Sequence, residues 1–266
     1  MIWFRRRGPL LGEELTAAQF ECFAWLLRHT GGYEEFRKRT LVAPTSKFFR
    51  RSGETGHAFA AALFEQTRHH AMMSDWPCAI EPQEDDPETK VSRYAFVQGA
   101  PQGPAGTFRR TDEGVLITYH PKHVGDAMSL IATFAHELAH YRTANFPEPP
   151  PGGWDVWEPA TDLAAVFLGF GIFLANTRFQ FSHFTSADSS GWRWQQQGYV
   201  SEAEILQMHA IFCVLQELSP KETLAHLKPA LRGMFKRLYK EVLTDTARVA
   251  NLRAAGPCWK TPSGSR

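Results

Sequence analysis

The chain is predicted to be an α+β protein, mostly helical, with a small antiparallel sheet just ahead of a histidine-bearing helix. Three observations predict this. Apolar residues recur at three- and four-residue intervals through several stretches. Short runs of β-branched and aromatic residues, broken by glycine and proline, gather between residues 91 and 119. The pentapeptide His136-Glu137-Leu138-Ala139-His140 falls inside the most regular of the helical stretches.

With 266 residues, 43% of them hydrophobic, the chain has enough apolar mass for one large domain or two small ones. Lys and Arg total 29 against 28 Asp and Glu, a formal charge of +1. No overall field recruits nucleic acid or an anionic membrane, so neither is expected as a partner. The basic runs at Arg5-Arg6-Arg7 and from Lys47 to Arg51 read as solvated surface. Cys22, Cys78, Cys213 and Cys258 are widely spaced without a C-x-x-C pair, which argues against a zinc knuckle and for free buried thiols. Gly8, Pro9, Gly12 and two glutamates interrupt any apolar leader, so a cytoplasmic location is expected.

Residues 1–80 are predicted to form a helical N-terminal region. Phe20, Phe23, Leu26 and Leu27 place one helix over Leu15 to Leu27, ended by Gly31-Gly32. A second runs from about Gly56 to Met73, with Phe59, Leu63 and Phe64 on its apolar side. The acidic, proline-bearing stretch over 81–90 marks a boundary. A metal-binding domain over 81–256 follows, packed with the first region as one unit, and 257–266 reads as a disordered tail. Strands are predicted at Val91–Val97, Thr107–Thr111 and Val115–Tyr119, the last two joined by a turn at Asp112-Glu113-Gly114.

The next helix spans about Gly125 to Ala144, with Leu130, Ile131, Phe134, Leu138 and Tyr141 along one face. Asn145-Phe146-Pro147 stops it. Asp155 and Glu158 stand as a capping-box-like pair before Pro159, which a first helical turn tolerates. From Leu163 to Leu174 every residue is apolar or glycine, a run of 12 against the ~20 needed to cross a bilayer, so this is a buried helix. Ala164, Ala165, Gly169 and Gly171 would let the histidine-bearing helix approach closely. A long loop over 177–200, S-x-x-E capping boxes at Ser201-Glu204 and Ser219-Glu222, and a break or kink at Pro229 complete the reading.

On a helix, His136 and His140 stand one turn apart on one face, so both imidazoles can reach one ion. Glu137 is rotated about 100° away, which sets its carboxylate beside the metal and not on it. Glu158 follows His140 by 18 positions, with Asp162 four further on. Two carboxylates at i,i+4 on an otherwise apolar helix repel each other and resist burial unless a cation lies near. One can bind the ion while the other accepts the free N–H of a ligating imidazole. Glu158 is the candidate third ligand and Asp162 its competitor.

The sequences His136-Glu137-Leu138-Ala139-His140 and Glu158-Pro159-Ala160-Thr161-Asp162 together resemble the gluzincin group of zinc metallopeptidases, which pairs an H-E-x-x-H helix with an E-x-x-x-D helix downstream. The resemblance covers about residues 115–176. It implies a zincin-like domain with one Zn²⁺ held by His136, His140 and Glu158, Glu137 as general base, and Asp162 behind the ligands. It departs in a slightly shorter linker between the helices and in Pro159 directly after the third ligand. It further implies a peptide or protein substrate, with Tyr199 and His183 as candidates for steadying the oxyanion. In zincins an edge strand near the site pairs with substrate, a part open to Val115–Tyr119, which reads equally well as a plain core strand. His120 and His123 are possible partners of the ligands, whereas His209 and His226 read as ordinary polar positions. The expected activity is peptide hydrolysis. The alternatives are a catalytically silent zinc-binding regulatory protein and a non-peptide amide hydrolase.

Overall fold

The computed structural model describes residues 8–83, 106–111, 114–182 and 200–258, with the backbone alone at 111 and 178–182. The predicted strand at Val91–Val97 and the turn residues 112–113 lie outside them.

Helix α1 (Gly12–His29) buries Phe20, Phe23, Trp25, Leu26 and Leu27. A short α2 (Gly32–Phe36) follows, and α3 (Gly56–His70) turns Leu63 and Phe64 inward. Three strands come next: β1 (Cys78–Pro82), β2 (Gly106–Thr111) and β3 (Gly114–Tyr119). The sheet order is β1-β3-β2, with β1 parallel to β3 and β2 antiparallel to it.

The α+β class holds, but the sheet is mixed and not purely antiparallel. The parallel strand is β1, which runs into the stretch read as a boundary loop. Its five residues end on Glu-Pro and make a weak strand signal alone; pairing with β3 from Cys78↔Val115 to Pro82↔Tyr119 extends them. Pro82 sits at the strand end, where its missing N–H costs the ladder least. Because β3 is bonded on both sides, it is the core strand, and it has no edge to offer a substrate.

Helix α4 (Ala127–Thr143) lies across β2 and β3 and against α3. Its start is well determined, because Asp126 Oδ1 accepts from the Met128 and Ser129 N–H groups at 3.0 and 3.2 Å. Phe134, on its buried side, meets Phe64 at 5.2 Å and Tyr119 at 5.8 Å. A 3₁₀ turn at Trp154–Val156 leads into α5 (Trp157–Ala165), a π turn at Val166–Phe170, and α6 (Gly171–Ser182). Trp154–Thr177 has the length and mean hydropathy, 1.5, of a membrane span, and its apolar window is wholly buried in this chain.

The apolar run is thus two helices and not one. Gly169, at φ +108°, makes the break. A Cβ there would collide with Thr40 O, and one at Gly171 would collide with the His209 ring. These glycines therefore admit the 40–42 segment and another helix, α7, rather than α4. Helix α7 (Glu202–Leu215) opens with the Ser201-Glu204 capping box and is buried from Glu204 to its end. The Ser219-Glu222 box starts α8 (Pro220–Leu224). Pro229 begins α9 (Pro229–Thr244) instead of kinking a longer helix, since the first position needs no N–H. Helix α10 (Thr246–Arg253) closes the described fold and packs on α1. One continuous apolar cluster joins residues from Phe20 to Leu252.

Candidate metal centre

Two helices supply the site. On α4 the rings of His136 and His140 stand 4.6 Å apart at 85°. On α5, Glu158 lies in the first turn and Asp162 one turn later. The predicted Asp155–Glu158 capping pair does not form: α5 starts without a side-chain cap. Glu158 turns to the histidines instead, its Oε2 lying 3.5 Å from His136 Nε2 and 3.3 Å from His140 Nε2. One ligand atom from each of these residues falls within 4.8 Å of the others.

The far side of each ring is also occupied. Asp162 Oδ1 lies 2.9 Å from His136 Nδ1, and Thr161 Oγ1 lies 3.2 Å from His140 Nδ1. Both Nε2 atoms are therefore aimed at one place, with the tautomer of His136 set by a carboxylate acceptor. Thr161 had no signal in the sequence beyond its position one residue ahead of Asp162. Phe108 of β2 stacks along His140 at 6.4 Å, and Trp157 flanks the same ring at 6.3 Å.

The donor set fits a zinc ion. It offers two imidazole nitrogens and a carboxylate oxygen within 4.8 Å of one another, and three such ligands would leave a fourth tetrahedral position for water or substrate. Charge agrees with geometry. Burial pulls the His136 ring towards neutrality, yet its hydrogen bonds to Asp162 and Glu158 outweigh this and hold its pKa well above the ordinary histidine value. The same contacts, from His136 and His140, hold Glu158 well below the usual carboxylate range. A proton on His136 answers the Glu158 and Asp162 carboxylates, so a proton competes with a metal for the imidazole nitrogens.

Glu137 stands beside this group and not within it. It is 4% exposed, and burial raises its carboxyl pKa above the usual value. Its Oε1 sits against Gly106 of β2, where an added Cβ would come to 3.0 Å from it and 2.8 Å from Thr118 O. The glycine lets the strand pass close to the carboxylate.

The remaining expected positions fall elsewhere. Tyr199 and His183 lie outside the described residues. His120 accepts from the Lys122 N–H at 3.2 Å and caps a 3₁₀ turn, with the His123 ring edge-on at 5.9 Å. His209 is fully buried on α7 against Thr223, 2.9 Å away. His226 is half-buried just after α8, and its backbone carbonyl accepts from Asn176. Comparison of the chain with known protein families, curated proteins and solved structures found no match.

Proposed function

We propose that this chain is a zinc-dependent metallopeptidase of gluzincin type that hydrolyses peptide bonds with Glu137 as general base. The observation that carries the reading is the convergence of His136 Nε2 and His140 Nε2 on one Glu158 oxygen, with Asp162 behind the first ring. His136, His140 and Glu158 would hold one Zn²⁺. When bound, the ion supplies Lewis acidity and makes water acidic enough to yield a nucleophile near neutral pH.

The chain's own residues do the rest. Glu137, its proton affinity raised by burial, takes the proton from water as the oxygen attacks the scissile carbonyl, then delivers it to the leaving amine. Asp162 and Thr161 keep the two imidazoles oriented. An extended peptide would run along β2, because β3 is already paired on both sides. The outer edge of β2 carries no strand among the described residues, and Gly106 brings that strand up to the Glu137 carboxylate.

Metal analysis beside digestion of a mixed peptide library tests this. The parent chain is expected to hold one zinc and to cleave, whereas His136→Ala and Glu158→Ala lose the metal. Glu137→Gln keeps the zinc and loses about 10²–10⁴-fold in hydrolysis. Zinc near one per chain in both ligand variants would overturn the ligand set. Undiminished cleavage by Glu137→Gln would remove its role as base. Zinc retained by a parent chain that cleaves nothing would favour a silent regulatory protein.

A further inference from the structure

The four cysteines are all free, and not all are buried: Cys22 and Cys213 are, Cys78 is half-buried and Cys258 is exposed. Cys258 keeps company that the metal centre does not use. Its backbone N–H donates to Arg28 O at 3.0 Å, which ties the end of the described chain to the last turn of α1. Its Sγ lies 3.3 Å from Nδ1 of His29. The other nitrogen of that ring, Nε2, lies 3.5 Å from Glu148 Oε2, on the link between α4 and α5.

The His29 side chain is 1% exposed. Phe146 stacks on its ring at 4.8 Å and 26°, and Trp25 meets it edge-on at 5.9 Å. Three segments remote in sequence thus bring together a thiol, an imidazole and a carboxylate in that order. A nucleophile within reach of a base, with the base oriented by a third group, is the arrangement by which weak nucleophiles are activated.

The electrostatics suit a base and not a fixed ion pair. Burial lowers the pKa of His29 and Glu148 opposes it, with burial the stronger, so the ring is neutral near pH 7 with Nδ1 able to accept, and Glu148 offsets part of the cost of charging it. Cys213 shows what is missing elsewhere. It lies 3.7 Å from His209, but burial closes it to solvent and pushes its thiol up to about 12.

We propose that Cys258 is a base-assisted nucleophilic thiol, open to covalent modification by small soft electrophiles, with His29 as proton acceptor and Glu148 as the residue that positions the ring. With iodoacetamide as the electrophile, the Sγ–C bond forms as the C–I bond breaks and iodide leaves. The thiol proton passes to His29 Nδ1 and then to solvent. The inference is independent of the metal centre.

The test is the rate of iodoacetamide labelling of the full chain, mapped to Cys258 by peptide mass, across pH and beside glutathione. A free thiol loses about tenfold in rate per pH unit below about pH 8.5, as its thiolate is depleted. Cys258 is expected to react at least about tenfold faster than glutathione at pH 7 and to fall off less steeply below it. Glu148→Gln, at an exposed position that spares the fold, is expected to lower the rate at pH 7 several-fold. His29→Gln, where it folds, is expected to bring Cys258 onto the glutathione curve. A parent chain whose Cys258 follows glutathione throughout overturns the proposal, and an unchanged rate in Glu148→Gln overturns the positioning role.

Discussion

Replacing Asp162 asks the most of the proposed centre, since this residue touches no metal in the scheme. Its Oδ1 lies 2.9 Å from His136 Nδ1 with the side chain 9% exposed, while the other nitrogen of that ring faces Glu158 at 3.5 Å. A carboxylate in that place holds the proton on Nδ1 and makes the Nε2 lone pair a stronger metal ligand. Losing such a partner typically weakens metal binding by about 10–100-fold, or about 1.4–2.7 kcal/mol. Asp162→Asn keeps an acceptor oxygen and loses the charge, so it belongs at the lower end. Asp162→Ala loses both and leaves the ring free to turn, so it belongs at the upper end. Competition for zinc against a chromophoric chelator at neutral pH measures both, with circular dichroism to show that the chains are folded. Affinities within twofold of the parent in both variants would refute the reasoning, as would tighter binding by the alanine variant than by the asparagine one.

Other outcomes follow from positions away from the centre. His209 is buried and its pKa is lowered to about 3, so its folded form resists the proton that the unfolded chain accepts near 6.5. The stability this gives is complete above about pH 6.5 and is lost as the pH falls towards 3, at about 1.4 kcal/mol per unit. Urea unfolding in the presence of a chelator at several acidic pH values should therefore show a shallower slope for His209→Gln than for the parent; equal slopes would count against it. Gly169→Ala meets both a positive φ and the Thr40 carbonyl, and it should cost at least about 2 kcal/mol. Gly233→Ala, on α9 with open space around the added methyl, should instead stabilise by about 0.5–1 kcal/mol. Urea midpoints that move in the same direction for these two substitutions would contradict the account of Gly169.

What was legible in the sequence was periodic or local. The i,i+4 spacing of His136 and His140, the capping boxes at Ser201 and Ser219, and the apolar faces of α1, α3 and α4 follow from helical geometry alone. The Glu158–Asp162 pair could be read as two carboxylates with a shared task because both sit on an apolar helix. What was not legible depends on partners remote in sequence. Strand β1 exists because β3 is there to pair with it. Glu158 is drawn away from its capping role by two imidazoles on another helix. The space at Gly171 is taken by His209, and Cys258 meets His29 across 229 positions. None of these has a periodic signature, since each is decided by which surfaces the packed helices bring together.

The break at Gly169 has a consequence for trimming the chain. A π turn frees a carbonyl that an unbroken helix would use internally, and here Gly169 O accepts from the Val42 N–H at 3.1 Å. Val42 and Gly169 are both buried. Cutting away the first helices would leave that oxygen without its donor and uncover Phe167, which packs on Phe23 and Phe36 only two positions past α5, the helix that carries Glu158. A shortened chain that begins at the sheet would keep every candidate ligand and lose the seam against which the Glu158-bearing helix is seated.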